Sequence, residues 1–95
     1  MEHIYTITTL DNKEIPDSRC VGYYLNLETA TKAVINNDCD IYEFSYTYCV
    51  IEEVDPGLYY FPRKEFWFKW NMEENKYVAI EKPEKFKNIG GFGIG

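Results

Sequence analysis

The sequence predicts an α+β fold: a mostly antiparallel sheet of about five strands with one helix packed across a face, ordered ββαβ and then a C-terminal β-hairpin. Three observations predict it. Short runs rich in β-branched and aromatic residues alternate with a period of two. One segment repeats its apolar residues at helical spacing. Turn-forming residues stand between these runs. With 95 residues, 45% of them hydrophobic, the chain has material for one core, so residues 1–95 are read as a single domain.

His3 to Leu10 (HIYTITTL) is the first strand, with Tyr5, Ile7 and Thr9 on one face. Asp11-Asn12 opens a polar connection and Pro16-Asp17-Ser18 prevents its continuation. Arg19 to Leu25 (RCVGYYL) is the second strand, where Gly22 marks a bulge or a close backbone approach. A hairpin is the simplest pairing of the two. Asn26 is a good N-cap, and Leu25 with Ala30 has the spacing of a hydrophobic staple. The helix runs from Leu27 to Asn36 and stops at Asn36-Asn37-Asp38, whose side chains bond their own backbone and tolerate left-handed conformations.

Tyr46 to Val54 (YTYCVIEEV) is the third strand, Asp55-Pro56-Gly57 is a turn, and Leu58 to Phe61 is a short extended piece. Glu65 to Trp70 (EFWFKW) places Phe66, Phe68 and Trp70 on one face. A polar loop, Asn71 to Lys76, leads to Tyr77 to Glu81 and closes the hairpin. Pro83 starts one helical turn through Phe86. In the glycine-rich end, Ile89, Phe92 and Ile94 are expected to fill the core, with the glycines letting the tail lie close against the sheet; exposed amides that meet an anion or a partner are the alternative.

A helix of ten residues cannot cover five strands. Part of the aromatic face is therefore left for loops, the tail, a ligand or a second copy of the chain, and a homo-oligomer is expected.

Composition narrows the function. Aromatic residues make up 18% of the chain, but there is a single histidine, His3, with no partner nearby in sequence. Rings supply buried area and stacking surfaces and do not move protons at neutral pH, which points to a binder over an enzyme. No run of about 18 apolar residues is present, and the start lacks the basic and apolar segments of a signal peptide. Cys20, Cys39 and Cys49 form neither a CxxC pair nor a zinc set, so they read as reduced thiols, and the protein as cytoplasmic. The net charge of −6 argues against duplex nucleic acid or an anionic membrane as partner. That charge is uneven: residues 1–61 carry 3 basic and 11 acidic side chains, residues 62–95 carry 7 and 5. The C-terminal third can therefore accept a small anion, unless the asymmetry is only unselected surface charge.

No candidate for acid–base or metal chemistry stands out. Glu52 and Glu53 adjoin in a strand, point to opposite faces, and read as solvated surface. Asp38-Cys39-Asp40 with Glu43 lacks the glycine and spacing of a calcium loop, and no metal or cofactor is expected. The tail GGFGIG has no strand before it and no helix after it, so it fails the context of a dinucleotide fingerprint.

The densest constellation is Tyr59 to Trp70, where rings interleave with Arg63, Lys64 and Lys69 as stacking plus phosphate contact requires. Core packing accounts for most of these rings. Trp67 fits it least, because Glu65 and Lys69 flank it on its own face. Tyr23 and Tyr24 face opposite sides, so one of them also lies outside the core. The expected ligand-binding residues are Trp67, Lys69, Arg63, Lys64, Tyr23, Tyr24, Gly91, Phe92 and Gly93.

The IYTITTLDN strand, the VGYYLNLETATKAV junction, the YCVIEEVDPGLY strand-turn and the terminal FGIG together resemble small uncharacterised proteins of bacterial viruses and gut bacteria. In size and acidity the chain is similar to viral proteins that counter bacterial defence. That resemblance implies action by binding: sequestration of a nucleotide-like anionic signal, or blockage of a host protein by the acidic surface of Asp38, Asp40, Glu43, Glu52 and Glu53. A small hydrolase, working through a carboxylate, a tyrosine or Cys49, is the remaining class.

Overall fold

The computed structural model describes residues 3–14, 17–55, 63–89 and 92. Five antiparallel strands, β1 (Ile4–Leu10), β2 (Ser18–Tyr24), β3 (Tyr48–Val54), β4 (Lys64–Asn71) and β5 (Lys76–Ile80), form one sheet in the order β2-β1-β3-β4-β5. One helix, α1 (Leu27–Ile35), crosses it. The α+β expectation holds, including the first hairpin and the last. The turn expected at Asp55-Pro56-Gly57 and the piece at residues 58–61 fall, apart from Asp55, outside the described residues.

Local chemistry sets the boundaries. The Asn26 side chain accepts from the Thr29 amide at 3.0 Å, which satisfies one of the free N–H groups of the first helical turn. Leu25 is 64% exposed, so the expected staple onto buried Ala30 is not formed. The pairing of β1 with β2 shifts between Ile7 and Thr8, where Val21 is the extra residue beside Gly22. That is the bulge the glycine foreshadowed. Pro83 caps the single turn Glu84–Phe86, as its position predicted.

Cross-strand register sorts the side chains into two faces. On the helix face, Ile7, Ile51 and Phe66 form one row, and Cys49, Phe68 and Ala79 the next. Ala30, Ala33 and Val34 of α1 close over this core together with Trp70 and Tyr77. Tyr42 stacks on Trp70 with ring centroids 3.8 Å apart. On the opposite face, Leu10, Tyr48, Val50 and Trp67 form a second core, covered by Phe86 from the turn after β5 and by Phe92. Both faces of the sheet are therefore packed. The helix covers one, and the C-terminal segment covers the other.

Candidate functional site

The central strands β3 and β4 are covered unequally. Where α1 stops short of the β4–β5 side, a groove of about 720 Å³ opens on the helix face, within the roughly 300–1,000 Å³ usual for ligand sites. Phe66, Phe68 and Ala79 line it from the sheet, and Thr31 and Ile35 from the helix. Phe66 is half-buried and Ala79 exposed. The groove exists because β5 pairs with β4 only from Trp67 to Asn71, which leaves Lys64–Phe66 beyond the end of the neighbouring strand. It is the partial cover that a short helix over five strands required.

Arg63, Lys64 and Lys82 bring positive charge to this groove, and Glu65 and Glu81 bring negative charge. Two of the cations are committed. The Arg63 Nε donates to both carboxylate oxygens of Asp55 at 3.0 Å, and the same carboxylate meets His3 Nδ1 at 2.7 Å. The hydrogen bond from Arg63, helped by His3, holds the Asp55 carboxyl below its ordinary range. Lys82 Nζ lies 2.9 Å from Glu65. Lys64 is exposed and forms no ion pair among the described residues, so its ammonium is the charge available to an incoming anion. The guanidinium of Arg63 keeps its two Nη groups beyond the bond that Nε makes.

Trp67 is not the open stacking surface that its charged strand neighbours suggested. It is 3% exposed, its ring stacked on Phe86 at 5.1 Å and edge-on to Phe92 at 5.4 Å. Its Nε1 donates to Glu65 Oε1 at 2.9 Å, so the charged neighbour serves as the indole's partner. Phe92 belongs to this same packing, as the core reading of the tail expected, while Ile89 is 48% exposed and fills nothing. Gly91, Gly93 and Ile94 lie outside the described residues.

The other expected residues separate. Lys69 is exposed on the face opposite the groove. Tyr23 and Tyr24 sit on β2, at the far edge of the sheet, and both are exposed. Of the nine, Arg63, Lys64 and Trp67 line the groove, Trp67 with its ring packed away on the other face. Phe66 was missed as a groove residue because its alternation with Phe68 and Trp70 reads as pure core.

Three further findings concern titratable groups. Glu52 is 1% exposed rather than solvated, and it accepts the Phe92 amide at 3.1 Å. His3, isolated in sequence, is partnered through Asp55. Cys49, one of the groups through which a hydrolase would have to work, is fully buried, and desolvation pushes its thiol far up, which makes it a core residue.

No family model, curated protein or solved structure matches this chain.

Proposed function

We propose that the protein is a non-enzymatic binding protein that sequesters a small, planar, nucleotide-like anion in the groove between α1 and β4–β5. One observation carries the reading: a half-buried Phe66 left open by the helix, with Lys64, which forms no ion pair among the described residues, at its rim. Phe66 offers apolar area to a base, and Lys64 with the Nη groups of Arg63 meets a phosphate. The mildly basic C-terminal third attracts such an anion locally, while the net charge of −6 repels polyanions. Sequestration of an immune signal by a viral counter-defence protein is the biological role this chemistry fits.

Thermal melting against nucleotides, cyclic dinucleotides and ADP-ribose derivatives tests the reading. A ligand at about 100 times its Kd stabilises by roughly 2.7 kcal/mol, and it should be recovered unaltered. A flat panel, or a ligand returned as product, would count against sequestration.

A further inference from the structure

β2 is an edge strand, and all seven of its residues are exposed. Among the described residues its outer side pairs with nothing, so a row of backbone N–H and C=O groups is left for another chain. Its side chains do little to prevent this. Arg19 is its only charged residue, whereas Val21, Tyr23, Tyr24 and the following Leu25 are exposed apolar groups. The bulge at Val21 twists the strand and leaves Gly22–Tyr24 as a regular run against β1. A β-carbon at Gly22 would meet no atom within 4 Å; its positive φ of 159° at the bulge is what calls for glycine there.

Charge selects the occupant. Two cavities flank β2: one of about 230 Å³ lined by Arg19, Val21, Asp40 and Glu43, and one of about 140 Å³ lined by Val21, Tyr23, Tyr24 and Asp38. Arg19 is ion-paired with Glu43, which leaves Asp38 and Asp40 to give this margin a negative sign. A second copy, itself at net −6, is repelled and makes the poorer partner.

We propose that β2 receives an extended basic–apolar segment of a partner protein as a sixth strand. Its backbone pairs along Gly22–Tyr24, and its basic side chains lie against Asp38 and Asp40. The site is independent of the groove at β4–β5.

Two fluorescein-labelled heptapeptides test this, one alternating lysine with valine and one alternating glutamate with valine. Binding is read by anisotropy and located by amide NMR on the full chain. The lysine peptide should bind, slow amide exchange in β2, and weaken as salt is raised. The exposed double variant Asp38→Asn/Asp40→Asn should weaken it about threefold to tenfold while leaving the melting curve in place. Equal binding of both peptides, binding of neither, or protection at β5 would overturn the proposal. So would a concentration-dependent dimer in sedimentation that protects β2 without peptide, since the occupant would then be a second copy.

Discussion

Replacing Trp67 with alanine separates a packed ring from an exposed one. A Trp side chain buries about 150–250 Å², which at ~25 cal/mol/Å² is roughly 4–6 kcal/mol of transfer free energy relative to full exposure. Alanine retains part of the contact and the site partly collapses, so core Trp→Ala changes cost about 3–5 kcal/mol. Trp67 is 3% exposed between Phe86 and Phe92, so the full range applies. With a urea slope of ~1.5 kcal/mol/M the midpoint should fall by about 2–3 M. Against a total stability of about 5–15 kcal/mol, that is a large fraction. Trp67→Phe isolates one contribution: it keeps most of the stacking and loses the Nε1 bond to Glu65, for a cost of about 1–2 kcal/mol. Glu65 retains Lys82, so no buried charge is stranded. Urea denaturation followed by far-UV circular dichroism measures all three proteins. A Trp67→Ala loss below about 1 kcal/mol would refute the packing of the C-terminal segment on the sheet.

Other expectations follow from single contacts. Thr6 and Thr8 bury their hydroxyls with no hydrogen-bond partner among the described residues, so Thr8→Val should raise stability by about 1 kcal/mol in the same urea assay. A thiol-specific reagent should modify the exposed Cys20 and Cys39 in the native protein and reach Cys49 only on denaturation. Burial raises the Cys49 thiol and the Tyr77 hydroxyl in the folded state, whereas in the unfolded chain they titrate near 9.0 and 10.0. Above about pH 9 the unfolded state therefore releases protons that the native state holds, and stability should fall as pH rises. Cys49→Ala should flatten the start of that decline. Arg63→Gln should raise the Asp55 pKa toward its ordinary value, read by carboxyl-carbon NMR, because the Arg63 hydrogen bond is the main cause of its depression.

Much of the fold could be read from local chemistry because local chemistry causes it. Alternation gave the strands and their faces, Asn26 the helix start, Gly22 the bulge, and Pro83 the last turn. The parity that set Trp67 on the face opposite Phe66, Phe68 and Trp70 is also correct. What covers Trp67 was not legible. Phe86 and Phe92 stand 19 and 25 positions away, and no periodicity links them to β4. Glu65 and Lys69 were read as signs of exposure, yet Glu65 satisfies the indole and pairs with Lys82. Burial of Glu52 depended in the same way on the distant Phe92 amide. For the site, the incomplete cover by a short helix was foreseeable, as were Arg63 and Lys64. Its position over Phe66 followed from where β5 ends, a tertiary fact.

The proposed role of the groove between α1 and β4–β5 is to hold a small planar anion. Amide NMR of the labelled protein, titrated with the same nucleotide panel, tests it most directly, since it reports binding and location together. At least one nucleotide should shift Thr31, Ile35, Lys64, Phe66 and Ala79, and Lys64→Glu should abolish the response without altering the remaining spectrum. Unmoved resonances across the panel, or shifts gathered at a different surface, would contradict it.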